Sequence, residues 1–185
     1  MILTIPTILT LFRILLIPVM VIVFYLPYSW TNLAAALIFA VGSLTDWLDG
    51  WIARRYGMYS AFGAFLDPVA DKLAVTVALF LIVQKHNTEL MAILAAIIVG
   101  REITISALRE WMAGLGAQGK VKVAGLGKIK TIVQMVALSF LLHFEPLFGL
   151  PLLLIGEWLL GIAAALTLWS GFAYIRAAWP TMRDQ

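Results

Sequence analysis

Polar residues divide the chain into six apolar runs, at about residues 8–26, 33–52, 62–83, 90–111, 129–142 and 147–178. A bilayer span needs roughly 20 apolar residues. The pattern therefore predicts an all-α integral membrane bundle of six transmembrane helices, forming a single domain over residues 1–185. Pro6 and Thr7 precede the first run and suit a helix start. Pro68 lies close to the first turn of the third run, where a proline costs least. The last run is longer than one span needs and predicts one tilted or extended helix, with Pro151 near its start.

Composition strengthens this reading. The chain is 63% hydrophobic and 12% charged, with a mean hydropathy of +0.99. A soluble domain is about 45–50% apolar and about 25% charged. Cysteine is absent, which excludes a disulfide framework and a thiolate metal site. The first residues lack a basic segment and a small-residue cleavage site, so the expectation is a retained first span rather than a cleaved signal.

Charge placement predicts the topology. Arg54, Arg55, Lys120, Lys122, Lys128, Lys130, Arg176 and Arg183 lie in or beside the terminal and even-numbered connections. Lys85 alone lies in an opposite one. The positive-inside rule then puts both termini on the cytoplasmic side.

The candidate chemistry lies between residues 46 and 71. Four of the ten acidic residues fall there: Asp46, Asp49, Asp67 and Asp71. Asp46, Asp49 and Ala53 share one helix face, and Asp67 and Asp71 share another. The short basic connection between the two helices predicts antiparallel neighbours, with both acidic pairs at one depth and facing each other. Carboxylates in or beside hydrocarbon are costly. Neutralised groups or bound cations would relieve the repulsion. Oxygen-only ligands at this spacing suit Mg²⁺ or Mn²⁺, and four carboxylates formally balance two such ions. Gly50, Ala53 and Gly63 would let a nucleotide approach the helix backbone, and Arg54 could bind a diphosphate. Arg13, inside the first run, either snorkels to the interface or belongs to the active site.

The pattern Asp-x2-Asp-Gly-x2-Ala-Arg-x8-Gly-x3-Asp-x3-Asp resembles the motif of the CDP-alcohol phosphotransferases. All eight fixed positions are matched, by Asp46, Asp49, Gly50, Ala53, Arg54, Gly63, Asp67 and Asp71. The family often carries asparagines near the start of its first helix, where Thr4 and Thr7 stand here. The resemblance implies a cytoplasm-facing polar active-site cavity, an often dimeric assembly and, for a bacterial member, the inner membrane. It implies two metal ions held by Asp46, Asp49, Asp67 and Asp71, with Asp71 also the general base. Nucleotide and diphosphate binding would fall to Asp49, Gly50, Ala53, Arg54 and Gly63.

The implied partners are CDP-diacylglycerol, glycerol 3-phosphate and membrane lipids, with no nucleic acid. A phosphorylated acceptor calls for cations beyond the metals, and Arg101, Arg109, Lys128 and Lys130 are the candidates. Arg101 could instead pair with Glu102 or Glu157. The acidic motif itself does not separate this acceptor from inositol phosphate or phosphatidylglycerol. His86 and His143 fall in opposite-side turns, which excludes them from the metal site. An ion carrier would need no small residues and arginine at these fixed offsets.

Overall fold

The computed structural model describes residues 4–57, 60–115 and 126–183. Among these residues six helices run in order: α1 (Ile5–Phe24), α2 (Thr31–Tyr56), α3 (Ala61–His86), α4 (Glu89–Gly114), α5 (Leu126–His143) and α6 (Leu152–Arg183). No β-strand occurs among the described residues beyond one isolated bridge between Leu147 and Leu150.

Local chemistry fixes several helix ends. Ser60 caps α3 by accepting a hydrogen bond from the Gly63 amide at 2.9 Å, which satisfies one orphan donor of the first turn. Thr88 does the same for α4 through the Met91 amide. Gly57 closes α2 with φ +66°, a left-handed conformation that suits glycine.

Among the described residues, four helical stretches are long and apolar enough to cross a membrane: Ile5–Phe24, Thr31–Tyr56, Glu89–Gly114 and Leu152–Pro180. The apolar part of α5, Ile129–His143, is shorter. α3 carries Asp67, Asp71 and Lys72 in its first half. The exterior is strongly apolar. Leu15, Trp47, Phe80, Trp158, Trp169 and Phe172 are between 62% and 71% exposed. The interior, by contrast, encloses polar groups, among them Arg13, Asp49, Lys130 and Gln134. Such a distribution suits a chain whose surroundings are lipid and whose site is internal.

Three expectations are corrected. α2 and α3 are not close neighbours: α1 packs extensively on both of them, while they touch each other only slightly. Two facing acidic pairs repel, and α1 inserts a cation between them. Pro68 lies two turns inside α3 rather than near its first turn, because the helix starts at Ala61. The last helix starts at Leu152, not 147. Residues 147–150 form a tight turn instead, with Phe148 at φ 51° and Gly149 at φ 79°. The remaining core gathers residues of α1 to α6 around Leu79, Ile82, Ile98, Leu138 and Leu160.

Candidate active site

Asp46 and Asp49 lie one turn apart on α2, and Asp67 and Asp71 one turn apart on α3. Arg13 of α1 lies among them. Its Nη1 is 2.9 Å from Asp46 Oδ1, 2.5 Å from Asp71 Oδ1 and 3.5 Å from Asp67 Oδ1. Its Nη2 donates to Asp49 Oδ2. Arg13 is 2% exposed and Asp49 is 3% exposed. The arginine therefore does not snorkel; it is buried within the acidic cluster. The signal available in the sequence was a lone charge inside an apolar run, which is expensive unless paired.

Asp46, Asp49 and Asp67 can each offer one carboxylate oxygen, all lying within 4.8 Å of one another. An all-oxygen set converging on one point fits a hard divalent cation such as Mg²⁺ or Mn²⁺. Asp71 is not in that group. It joins the cluster through Arg13 and borders a different cavity.

A cavity of about 330 Å³ opens beside the cluster between α1, α2 and α3. Its lining includes Asp49, Gly50, Ala53, Arg54, Gly63 and Asp67. All five positions expected to bind nucleotide and diphosphate thus border one space. Gly63 is small for a reason beyond ligand approach. A Cβ on Gly63 would stand 2.7 Å from Thr7 Oγ1 and 2.9 Å from Ser60 Oγ. A Cβ on Gly50 would stand 3.3 Å from the Arg54 guanidinium, which folds back along α2. Thr4 and Thr7 extend a hydroxyl chain into this wall: Thr4 Oγ1 is 2.9 Å from Thr7 Oγ1, which is 2.8 Å from Ser60 Oγ.

A second cavity, of about 130 Å³, lies on the other side of the cluster between α3, α4 and α5. Asp71, Lys72, Glu102, Lys130 and Gln134 border it. Lys130 Nζ donates to Glu102 Oε1 at 2.6 Å, and Arg101 Nη1 donates to the same oxygen at 2.8 Å. Gln134 is 4% exposed, and its Oε1 has no partner among the described residues. Of the four cations expected to bind the acceptor, Lys130 borders this cavity. Arg101 reaches it through Glu102 and also donates to Ser170 Oγ at 3.1 Å. Arg109 stacks 5.3 Å from the centre of the Tyr174 ring instead. The side chain of Lys128, and all of Lys120 and Lys122, lie outside the described residues. Sequence reasoning overlooked Lys72 and Gln134, which carry no spacing signal of their own.

The histidines sit at the other end of the bundle. His86 ends α3, about 22 Å along the helix from Asp71 at 1.5 Å per residue, and its Nε2 is 3.1 Å from the Leu141 carbonyl. His143 ends α5. Neither approaches the acidic cluster.

Residues 3–169 match the model of the CDP-alcohol phosphatidyltransferase family. The chain is 50% identical over 181 residues to proteins of Shigella flexneri serotype 5b (strain 8401) and Escherichia coli (strain K12). Each match covers 98% of this chain and 98% of the relative, and both relatives are named CDP-diacylglycerol--glycerol-3-phosphate 3-phosphatidyltransferase. The motif at Asp46–Asp71, the gathered acidic cluster and these full-length similarities agree: the chain belongs to the CDP-alcohol phosphatidyltransferase family.

Proposed function

We propose that the protein transfers the phosphatidyl group of CDP-diacylglycerol to glycerol 3-phosphate, giving phosphatidylglycerophosphate and CMP. One observation carries this reading. The acidic cluster borders two cavities, one lined by the nucleotide motif and one holding Lys130 and Asp71. A transferase needs two such substrate spaces meeting at the reacting phosphorus.

Asp46, Asp49 and Asp67 would hold divalent metal, with Asp71 at its edge. The bound ions would supply charge stabilisation to the phosphoryl oxygens and to the leaving CMP. Arg54, at the wall of the larger cavity, would grip the diphosphate as a planar two-pronged donor. Gly50 and Ala53 keep that wall low. In the smaller cavity Lys130 would meet the acceptor's phosphate, and the Gln134 carboxamide would meet a hydroxyl. Asp71 borders this cavity, so it suits the base that takes the proton from the attacking hydroxyl. Arg13 holds its Oδ1, which leaves Oδ2 to take that proton.

The six helices would all span the bacterial inner membrane as a homodimer, with the cavities facing the cytoplasm and membrane lipid reaching the site between helices. The positive charges flanking α2 and α5 support that orientation. The test uses purified protein in detergent with CDP-diacylglycerol, Mg²⁺ or Mn²⁺, and a panel of alcohols. CMP should appear with glycerol 3-phosphate. Release only with inositol phosphate or phosphatidylglycerol would refute the assignment.

A further inference from the structure

Arg13 belongs to none of the motif positions, yet it touches all four aspartates. One nitrogen serves Asp46, Asp67 and Asp71, and the other serves Asp49. It is one of the most buried charged groups of the described residues, at 2% exposure. Its stem crosses α2 at Gly42, where a Cβ would lie 3.6 Å from Arg13 Cγ, in ordinary contact. Below the guanidinium lies a cavity of about 30 Å³ with walls such as Leu16, Ile17, Met20 and Phe39. That space is mainly apolar, with Ser43, Asp46 and Asp71 as the polar residues at its edge.

The geometry puts arginine and metal in conflict. The guanidinium stands where the carboxylate oxygens converge. A divalent ion such as Mg²⁺ would hold carboxylate oxygens of this set at about 2.0–2.1 Å, in competition with the guanidinium that now takes their charge. The formal charges agree. Four carboxylates with Arg13 sum to −3, and a pair of divalent ions alone brings the four carboxylates to zero. Arg13 then becomes a surplus positive charge beside the diphosphate space.

We propose that Arg13 is a built-in competitor for the metal: an internal cation that holds the four aspartates together and yields their oxygens when divalent ions bind. The proposal rests on the reading of the aspartates as metal ligands. It gives Arg13 two effects. The packing of α1 against α2 and α3 does not require metal, because the arginine bridges the four acids and offsets part of their repulsion. Metal affinity is lowered by the cost of breaking the arginine's contacts. An arginine that merely oriented the ligands would act in the opposite sense, and its loss would weaken metal binding.

The test measures Mn²⁺ binding to the detergent-purified full chain from the electron paramagnetic resonance signal of free Mn²⁺, alongside thermal unfolding in EDTA and in Mn²⁺. Arg13→Gln is expected to bind Mn²⁺ about tenfold more tightly than the unsubstituted protein, the scale of one lost charge-assisted contact. Its unfolding temperature should fall in EDTA and rise with Mn²⁺ by more than that of the unsubstituted protein. Arg13→Lys serves as the second variant, because an ammonium cannot bridge four carboxylates. It should bind Mn²⁺ with intermediate affinity, and it decides the matter if Arg13→Gln does not fold in EDTA. Unchanged or weaker Mn²⁺ binding in the folded variants overturns the proposal. Failure of the underlying reading looks different: the unsubstituted protein itself would show no saturable Mn²⁺ binding.

Discussion

Thr7 of α1 and Gly63 of α3 can approach as they do only because Gly63 lacks a side chain. A Cβ there would stand 2.7 Å from Thr7 Oγ1. The same threonine is hydrogen bonded to Ser60, the cap of α3. The motif glycine therefore sets how closely α1 docks, and α1 is the helix that carries Arg13 into the acidic cluster.

Gly63→Ala should consequently destabilise the bundle by about 1–3 kcal/mol, the usual cost of overpacking. It should also raise the KM for CDP-diacylglycerol, since Gly63 borders the larger cavity. Adding Thr7→Ala should restore part of the stability. The restoration stays partial because Ser60 Oγ would still lie 2.9 Å from the new methyl. Thermal unfolding of the single and double variants in detergent checks this; a double variant no more stable than Gly63→Ala would locate the strain elsewhere.

Asp71→Asn separates the proposed base from the proposed metal ligands. An asparagine oxygen can still accept from Arg13, so the variant should unfold near the temperature of the unsubstituted protein. CMP release should fall by a factor on the order of 10²–10⁴, the usual contribution of a positioned base. Activity within a few-fold of the unsubstituted protein would remove Asp71 from that role.

How much of this was legible beforehand depends on the kind of signal. The aspartates, Gly50, Ala53, Arg54 and Gly63 carry a fixed spacing, and α2 and α3 bring them to one cavity and one cluster. Helix periodicity predicts such faces from local geometry alone. The role of α1 was only half legible: Arg13 stood as either an interface charge or a site residue, and its contacts with the four aspartates favour the second. The short connection between α2 and α3 suggested direct contact, but chain proximity does not say which third helix inserts between two like-charged faces. Gln134 was equally hidden: a glutamine in an apolar run becomes informative only when its neighbours and its unpartnered oxygen are known.

Removal of divalent metal should abolish CMP release without unfolding the protein. EDTA would strip the ions, and either Mg²⁺ or Mn²⁺ should restore activity, since the candidate ligands are all carboxylate oxygens. Asp49→Asn should raise the metal concentration needed for half-maximal activity, because Asp49 is the most buried of the three converging acids. An unchanged metal requirement in that variant would argue against Asp49 as a ligand.

The smaller cavity, proposed above for the acceptor, yields the sharpest separation of roles. Lys130 Nζ is held by Glu102 at 2.6 Å, and Glu102 also takes Arg101. On that proposal, a phosphate entering this space would meet a cation only partly neutralised by a shared carboxylate. Lys130→Met removes the charge but keeps most of the apolar stem. A charge-assisted hydrogen bond contributes about 1.5–3 kcal/mol, so the KM for glycerol 3-phosphate should rise about tenfold or more. The KM for CDP-diacylglycerol should stay within about twofold, because Lys130 does not border the larger cavity. Steady-state kinetics with each substrate varied in turn decides the matter. Equal increases in both KM values would make Lys130 a structural partner of Glu102 rather than a contact of the acceptor.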